Sequence, residues 1–454
     1  MRLPSQFLQS IQNTKDFNKE AFEKVHTSGK QITSVRINPS KEKPQSTNQL
    51  INQLTKIPWT DFGYYLESRP SFTFDPLFHA GTYYVQEASS MFLEQALKQT
   101  VDLGKPIKVL DLCAAPGGKS THIQSLISKD SLLVSNEVIR SRANVLKDNI
   151  IRWGCENVVV TNNDPKDFSR LENYFDVIVI DAPCSGSGLF RRDPAAIEEW
   201  SENNVQLCSQ RQQRILADCW PALKKDGVLI YSTCSYSKEE DEDIMDWVTG
   251  HLSAVNYQLQ INDDWKITET ISAVNNYGYR FWPDKVKGEG FFLACFQKKE
   301  GEESLFRYKK KPEPVTNREM EMVERWMKKD GLHCIKHINT VYAWPEHQVK
   351  DFSFLLEELR VMYSGVLIGE LIRDKLIPDH ALAMSILVAG TVNKAALDYE
   401  QSIQYLQRKD LKAEITGKGW QLVTYQQHSL GWINVLPNRI NNYYPKELRI
   451  LKDI

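Results

Sequence analysis

The sequence predicts an α/β protein built on a doubly wound, mostly parallel sheet, with an α+β module before it and a small β-rich module after it. From about residue 105 to 300, short aliphatic segments alternate with longer amphipathic segments, as in βαβ units. Over residues 386–454, short apolar segments alternate with turn residues instead. The 454 residues also exceed one ordinary domain of about 100–200 residues.

The elements are predicted in order along the chain. Apolar residues at helical spacing indicate a helix around Phe7 and Ile11, and alternation indicates a strand over residues 32–37. An amphipathic helix is expected over residues 84–97. The strands of the central sheet are expected at 108–112, 132–137, 158–162, 176–181 and 227–233, with helices at 119–129 and 140–153 among them.

The second half of the chain is predicted to hold three further features. A late antiparallel strand is expected at 290–296, and the charged, proline-containing segment 307–317 is the expected linker. A helix is expected over 316–329, and short strands over 420–445. The expected units are 1–102, 103–300, 301–385 and 386–454.

Composition excludes several classes of protein. The 56 Lys and Arg against 58 Asp and Glu leave a net charge of −2, which excludes a polycation but leaves room for a local basic face. No apolar run reaches the roughly 18–20 residues that span a bilayer, and the N-terminus lacks a signal peptide's apolar stretch. A cytoplasmic protein is therefore expected. The eight cysteines show no clustered spacing, which predicts neither a disulfide scaffold nor a metal site.

The first predicted strand is followed by a glycine-containing turn, CAAPGGKS, at residues 113–120. Ligands of doubly wound sheets bind beyond the carboxyl ends of the strands. Gly117 and Gly118 would let the backbone approach such a ligand closely. The spacing fits neither a dinucleotide-binding G-x-G-x-x-G nor a Walker loop. Both a nucleotide-like ligand and a tight turn without a ligand therefore stay open.

Acidic residues follow the next two predicted strands. Glu137 fits a carboxylate that accepts hydrogen bonds from ribose hydroxyls, or alternatively a charge at a helix N-terminus. Asp164 fits a carboxylate that accepts from an adenine amino group, or alternatively an Asx turn before Pro165. Together with the glycine turn, these positions predict a nucleoside pocket.

The fourth and fifth predicted strands end in DAPCSGSG (181–188) and STCSYSKEED (232–241). Each motif places a cysteine beyond the sheet edge, Cys184 in the first and Cys234 in the second. A cysteine in that position can react with a bound substrate, although most free cysteines are inert packing residues. Packing roles are expected for the other six, which are Cys113, Cys155, Cys208, Cys219, Cys295 and Cys334.

These motifs resemble those of the RNA 5-methylcytosine methyltransferases of the Nol1/Nop2/Sun family. The resemblance rests on DLCAAPGGKS (111–120) and on the two cysteine motifs, with support from 85–97 and 280–296. Residues 430–449 resemble the terminal module of bacterial RsmF-type small-subunit rRNA methyltransferases. The resemblance implies a Rossmann-like methyltransferase sheet, an RNA-binding N-terminal module with a ferredoxin-like α+β fold, and a PUA-like RNA-binding module at the C-terminus.

The same resemblance implies methylation of cytosine C5 in RNA, most simply in 16S rRNA, with S-adenosylmethionine as the methyl donor. In the family, the cysteine at position 234 adds to C6 of the base, and the one at 184 assists release. Asp181 would hydrogen-bond the base edge at N3 or N4. Lys119 is expected to be a catalytic residue as well. The implied cofactor-binding residues are Cys113, Ala114, Ala115, Pro116, Gly117, Gly118, Lys119, Glu137, Asp164 and Asp181.

Other functions stay open at this point. One is a tRNA methyltransferase of the same family, and another is a non-catalytic RNA-binding assembly factor. A thiol acyl-transferase or hydrolase would want a histidine near its nucleophile, and none of the nine histidines lies in the strand-end motifs. The expected partner is RNA, free or in the small subunit, without membrane or metal, and the chain is expected to be a monomer. Candidates for phosphate contact, or alternatively for solvated helix charges, are Arg140, Arg142, Arg191 and Arg192.

Overall fold

The computed structural model describes residues 3–41, 54–301, 311–411 and 415–453. Its strands form four sheets, and the largest of them confirms the predicted doubly wound α/β class. Part of the predicted linker, residues 302–310, lies outside the described residues. No helix in the described ranges is long and apolar enough to cross a lipid bilayer.

The N-terminal unit combines a small antiparallel sheet with helices. Asn18 caps the second helix, since its side chain accepts from the Ala21 N–H at 3.0 Å. The sheet has the order β2-β3-β1-β4. The elements are α1 (Ser5–Ile11), α2 (Lys19–Thr27), β1 (Thr33–Ile37), β2 (Thr55–Lys56), β3 (Gly63–Leu66), α3 (Pro76–His79), β4 (Tyr83–Val85) and α4 (Leu93–Thr100).

The prediction of one helix over residues 84–97 is wrong in its first half. Tyr84 and Val85 belong to β4, which pairs with β1. The Glu87 side chain then accepts from the N–H groups of Ser89 and Ser90, each at 2.9 Å. This capping starts a 3₁₀ turn that leads into α4. Backbone pairing with β1 therefore outweighs the helical periodicity of the sequence.

The central unit contains the elements from β5 to β13. The predicted strands are present close to their predicted bounds, and both predicted helices are found. They are β5 (Lys108–Asp111), α5 (Gly118–Leu126), β6 (Leu132–Asn136), α6 (Arg140–Trp153), β7 (Val158–Thr161), β8 (Phe175–Asp181), α7 (Ala195–Glu199), α8 (Glu202–Cys219), β9 (Leu223–Thr233), α9 (Glu242–His251), β10 (Ala254–Tyr257), β11 (Thr268–Ile271), β12 (Tyr277–Phe281) and β13 (Phe291–Lys298).

The strand order of the central sheet decides where the site lies. β5 is parallel to both β6 and β8, and β8 is parallel to β9. The chain leaves β5 for β6 and β7 on one side and returns to β8 and β9 on the other, so the switch point lies between β5 and β8. The late strand β13 pairs antiparallel with β9, as predicted. Ligand-binding side chains are therefore expected at the carboxyl ends of β5, β8 and β9.

A third unit follows, whose sheet has the order β14-β15-β16-β18-β19. Thr316 and Glu319 form a capping box at the start of its first helix. The remaining strand, β17, instead pairs antiparallel with β7 and extends the central sheet. The elements are β14 (Glu313–Pro314), α10 (Asn317–Val323), β15 (Leu332–His337), β16 (Thr340–Pro345), α11 (Val349–Glu358), β17 (Val361–Ser364), β18 (Val366–Ile372), β19 (Lys375–Pro378) and α12 (His380–Met384).

The predicted helix over 316–329 is shorter than expected, because α10 ends at Val323. Beyond it, Met327 forms an isolated bridge with Val388, and the Lys328 N–H donates to the Leu387 carbonyl at 2.8 Å. Pairing with a segment far along the chain thus replaces the last turns of the helix.

The last unit is the predicted β-rich module. Its sheet has the order β20-β21-β22-β23, with β20 and β21 parallel and the other pairs antiparallel. Tyr399 Oη donates to the Phe74 carbonyl at 3.0 Å, so this module contacts the N-terminal unit. The elements are β20 (Lys394–Ala396), α13 (Tyr399–Leu406), β21 (Gly419–Tyr425), β22 (His428–Leu436) and β23 (Arg439–Asn442).

Aromatic packing joins the first helices to the central sheet. Phe7 of α1 and Phe22 of α2 are fully buried and contact Tyr236, which lies just after β9. Tyr236 stacks on Trp282 with ring centroids 5.1 Å apart. Such ring pairs contribute about 0.5–1.5 kcal/mol beyond area burial. The N-terminal unit therefore supports the segment that carries the Cys234 motif.

Candidate active site

The glycine turn between β5 and α5 forms one wall of a cavity at the switch point. Gly117 has φ of +110°, a backbone conformation that favours glycine. The Asn149 side chain donates to the Pro116 carbonyl at 2.6 Å, and Arg142 donates to the Ala115 carbonyl at 2.9 Å. A Cβ on Gly118 would lie 3.4 Å from the Tyr84 ring. The turn is thus fixed by side chains of α6 and faces the N-terminal unit.

The cavity beside this turn has a volume of about 240 Å³. It brings together eight residues that the sequence predicted for the site and five that it did not. The predicted residues that line it are Cys113, Ala114, Ala115, Pro116, Gly118, Lys119, Asp181 and Arg192. The others are Tyr84, Val85, Gln86, Glu87 and Ser90.

Lys119 and Asp181 form an ion pair within this cavity. Lys119 Nζ lies 2.8 Å from Asp181 Oδ2, and the ammonium also lies over the Phe291 ring. Ser232 Oγ donates to Asp181 Oδ1 at 2.9 Å. Both oxygens of the carboxylate are therefore held by polar partners, while 39% of the Asp181 side chain stays exposed. A carboxylate fixed in this way can accept a further hydrogen bond from a ligand.

The two cysteines of the strand-end motifs lie next to each other. Cys184 Sγ and Cys234 Sγ are 3.1 Å apart, and both residues are half-buried free thiols. The hydrogen bond with Cys234, together with burial, raises the pKa of Cys184 well above its usual range. No histidine is among the partners of either thiol in the described ranges. This geometry disfavours a histidine-activated acyl-transferase or hydrolase.

Asp111, at the end of β5, lies beneath the glycine turn. It is fully buried, and Ser120 Oγ donates to its Oδ2 at 2.6 Å. Burial raises the pKa of Asp111 to about 7 against the opposing effect of Ser120. Its Oδ1 has no hydrogen-bond partner within the described residues. Burial likewise raises the pKa of the Cys113 thiol well above its usual range, consistent with a packing role.

Glu137 and Asp164 lie at the ends of β6 and β7 but not on this cavity. Glu137 is buried; its carboxylate accepts from the Ile139 N–H at 2.8 Å and lies 3.4 Å from Arg142. Asp164 is exposed and accepts from the Lys166 N–H at 3.1 Å, which forms the Asx turn considered above. Their roles in cofactor binding stay predictions.

The candidate arginines divide into two groups. Arg191 is not a free cation, because its Nε lies 2.9 Å from Glu289 Oε2 and both side chains are nearly buried. Arg142 is held by Glu137. Arg140 and Arg192 are exposed, and Arg192 lines the cavity. Arg142 is exposed too, with 52% of its side chain accessible, so Arg191 is the one of these four candidates whose burial argues against phosphate contact.

Sequence reasoning missed a buried arginine that ties the N-terminal unit to α5. Arg36 of β1 is fully buried and donates to Thr121 Oγ1 at 2.6 Å and Ser125 Oγ at 3.0 Å. It also donates to Gln86 Oε1 at 2.8 Å. The alternation of apolar and polar residues in the sequence predicted the strand but gave no signal for these partners. Sequence reasoning also missed the role of Ser232. This residue begins the second cysteine motif, but the motif gave no indication of its contact with Asp181.

The fold and the site together define a Rossmann-like methyltransferase domain carrying an N-terminal domain and a C-terminal PUA domain. Residues 99–297 match the family described as 16S rRNA methyltransferase RsmB/F. Residues 3–88 match the N-terminal domain of 16S rRNA methyltransferase RsmF, and residues 392–450 match the methyltransferase RsmF PUA domain.

Curated relatives agree over nearly the whole chain. Ribosomal RNA small subunit methyltransferase F of Psychromonas ingrahamii is 31% identical in an alignment 422 positions long that covers 87% of this chain and 85% of that protein. The protein of the same name from Aliivibrio fischeri is 30% identical in an alignment 469 positions long that covers 98% of this chain and 97% of its own. The chain therefore belongs to the ribosomal RNA small subunit methyltransferase F family, and the resemblance seen in its motifs is confirmed.

Solved structures support the fold. A methyltransferase homologue from Pyrococcus horikoshii aligns with a TM-score of 0.52 at 26% identity, covering 65% of this chain and 100% of that one. NSun6 from Pyrococcus horikoshii, in a structure with SFG, aligns with a TM-score of 0.54 at 19% identity, covering 66% and 99%. At that identity the second likeness concerns the fold alone.

Proposed function

We propose that this protein transfers a methyl group from S-adenosylmethionine to C5 of a cytosine in 16S rRNA. The observation that carries the proposal is the pair of thiols, Cys184 and Cys234, 3.1 Å apart at the ends of neighbouring strands. Asp181, which begins the motif of the first thiol, lies in the adjoining cavity with Lys119. A silent assembly factor has no need for this arrangement.

The residues around the cavity suit S-adenosylmethionine. Lys119 and Asp181 carry the two charges that complement the carboxylate and ammonium of an amino acid. The absence of a side chain on Gly118 keeps the turn open towards Tyr84. Glu137 would serve the ribose hydroxyls, and Asp164 the adenine edge, at the ends of the next strands. When bound, the cofactor supplies a sulfonium methyl group as electrophile.

The chemistry needs a nucleophile because cytosine C5 is only weakly nucleophilic by itself. The Cys234 thiolate adds to C6, and the displaced electron pair makes C5 reactive towards the methyl group. After methylation, the C5 proton leaves to a base and the bond between C6 and sulfur breaks, which restores the ring. Cys184 touches Cys234 and is the proposed residue for this release step.

Asp181 is proposed to hold the base. Ser232 and Lys119 fix its carboxylate from two sides, and its partial exposure leaves room for a hydrogen bond from the cytosine N4 amino group or a protonated N3. The target base must leave its stack to reach the cavity, at a cost of a few kcal/mol. Contacts elsewhere on the RNA would offset that cost.

One surface suited to such contacts adjoins the active site. A second polar cavity of about 220 Å³ shares Gln86, Glu87 and Arg192 with the first. Its outer edge carries the exposed Arg69. The exposed guanidinium groups of Arg69 and Arg192, beside the active-site cavity, would hold the phosphates that flank a base turned out of the RNA.

Another surface lies between the third unit and the PUA domain. A groove of about 960 Å³ is lined by Trp326, Trp420 and Tyr443. Its cationic residues are Arg325, Arg373 and Lys375, all exposed. Aromatic rings stack on unpaired bases while cations attract phosphates, so the groove suits unpaired RNA. We propose that the units 1–102, 301–385 and 386–454 supply most of the RNA contacts while residues 103–300 perform the chemistry.

The chemistry is tested with Cys234→Ala, which removes the nucleophile. We expect methyl transfer to 16S rRNA to fall by more than about 10³-fold, since no other group can activate C6. Binding of S-adenosylmethionine, measured by calorimetry, should stay within about twofold of the unchanged protein. A variant with full activity would refute the covalent mechanism.

The substrate is tested separately. Bisulfite mapping of rRNA and tRNA from a deletion strain should show loss of 5-methylcytosine from 16S rRNA only. The curated relatives carry the name of a small-subunit rRNA enzyme, which favours this outcome. A loss confined to tRNA would overturn the proposed substrate. An rRNA substrate would also place the activity in the cytoplasm.

A further inference from the structure

Glu240 lies near the end of the second cysteine motif, STCSYSKEED (232–241), and is fully buried. It ends the 3₁₀ turn Lys238–Glu240 that follows β9. The mechanism above does not use it, and its position six residues beyond Cys234 gave no indication of a role. A fully buried carboxylate is costly unless polar partners satisfy it. The identity of those partners is therefore informative.

The Glu240 carboxylate joins the residues that follow the two cysteines. Its Oε1 accepts from the Ser185 N–H at 2.8 Å, and its Oε2 accepts from Ser185 Oγ at 2.5 Å. Ser235 Oγ also donates to Oε2, at 2.6 Å. Ser185 directly follows Cys184, and Ser235 directly follows Cys234. One carboxylate thus fixes both cysteine-bearing turns relative to each other.

Gln212 of α8 extends this network to the residue before Cys184. Its Nε2 lies within hydrogen-bond distance of Glu240 Oε1, at 3.2 Å, and of the Pro183 carbonyl, at 3.0 Å. The Gly188 N–H donates to the Cys234 carbonyl at 2.8 Å and closes the other side. Most of the contacts between the two cysteine-bearing turns therefore converge on Glu240, and the hydrogen bond from Gly188 adds to them.

We propose that Glu240 is a positioning residue that holds Cys184 and Cys234 in contact and places a negative charge beside Cys184. The kinetic consequence rests on the proposed function, because only the covalent mechanism needs both thiols at one base. A misplacement of about 1 Å in a reacting group costs on the order of 10²-fold in rate. The positioning role therefore has a measurable effect.

The charge has a separate effect on Cys184. The hydrogen bond with Cys234 is the largest cause that raises the pKa of Cys184, followed by burial, and the Glu240 charge adds to them. Burial also raises the pKa of Glu240 itself, against the hydrogen bonds from Ser185, Ser235 and Gln212. The other titratable groups that face Glu240 are Cys208, Tyr231 and Asp241, the last of which pairs with Arg280.

Two substitutions separate the two effects. Glu240→Gln keeps the size of the side chain but removes its charge. Its amide oxygen can still accept from the Ser185 N–H, and its NH2 group can donate to the two serine hydroxyls, which then act as acceptors. Glu240→Ala removes the charge and all of these contacts. Ser209→Ala is the matched control, because Ser209 is a buried serine of α8 that donates to the Glu239 carbonyl and not to Glu240. Each full-length variant is assayed for kcat and KM with 16S rRNA, and for the pH dependence of Cys184 alkylation by iodoacetamide.

We expect Glu240→Ala to lower kcat by about 100-fold with little change in KM, and Glu240→Gln to lower it by less than about tenfold. With Glu240→Gln, alkylation of Cys184 should move to lower pH, because the removed negative charge disfavours the thiolate. A purely structural role would not move that profile. Ser209→Ala should match the unchanged protein in both assays.

Three results would overturn the proposal. A kcat within threefold of normal for Glu240→Ala excludes positioning, and an unchanged alkylation profile for Glu240→Gln excludes the charge effect. If Glu240→Ala does not fold, the double variant Ser185→Ala/Ser235→Ala removes the hydroxyl contacts of both turns with Glu240, and a normal kcat for it excludes positioning. Alkylation does not require methyl transfer, so failure of the covalent mechanism is distinguishable from failure of this inference.

Discussion

Replacement of Arg280 by methionine tests whether this buried arginine stabilises the segment that carries the Cys234 motif. Arg280 of β12 has 2% of its side chain exposed. Its NH1 lies 3.0 Å from Asp241 Oδ2, its Nε donates to Glu242 Oε1 at 2.7 Å, and its NH2 contacts the second oxygen of Glu242. It also donates to the Tyr236 carbonyl at 3.1 Å. The substitution leaves two carboxylates buried without their cation.

Breaking a buried ion pair by removing one partner costs about 3–5 kcal/mol. For a domain of 150–250 residues, that corresponds to a drop of roughly 6–20 °C in Tm. The measurement is calorimetry of the full chain, following the transition that contains the central sheet. Arg318→Met is the control, because the Arg318–Asp374 pair is exposed and such pairs contribute about 0–1 kcal/mol.

The loss of stability in Arg280→Met should depend on pH, and its direction follows from the pKa shifts of the two carboxyl groups. Burial would raise the pKa of Glu242, but Arg280 outweighs it and the pKa is lowered. That pair stabilises the fold above the unfolded carboxyl pKa of about 4.3, and the stabilisation is lost as pH falls through the lowered value. Without Arg280, burial raises both carboxyl pKa values, so stability is lost as pH rises. The deficit of Arg280→Met should therefore be larger at pH 8 than at pH 5. A Tm within 2 °C of normal at pH 8 would refute the argument.

Two further predictions concern the RNA. Cys184→Ala should accumulate a protein–RNA adduct that survives a denaturing gel, since release is impaired while Cys234 still adds to the base; a gel without a shifted band would exclude the release role. Trp420→Ala should weaken binding of an unpaired RNA oligonucleotide by roughly 5–150-fold, because base stacking contributes about 1–3 kcal/mol. Fluorescence anisotropy measures the affinity for the oligonucleotide. Trp420→Phe is the control that should retain most of this affinity. Equal affinity of the unchanged protein and both variants would exclude RNA binding in the groove.

Much of the central sheet could be predicted because its signals are local. Each strand from β5 to β9 is a short aliphatic segment, and the helices between them keep their apolar period. The predictions failed where backbone pairing with a distant segment competes with the helical periodicity of the local sequence. Val85 joins a strand instead of a helix, and the chain after Val323 pairs with Val388 instead of continuing α10.

The sequence by itself determined the chemistry-bearing groups, since a glycine turn, two acidic strand ends and two cysteines stand in an order that the parallel sheet brings to one edge. Only the tertiary structure decided which of these groups touch. Three contacts join residues far apart in the chain: the one between Cys184 and Cys234, the hydrogen bond from Ser185 to Glu240, and the ion pair of Arg191 with Glu289. Such contacts depend on how strands and loops pack in space, and the side-chain periodicity of one segment does not indicate which distant segment it will contact.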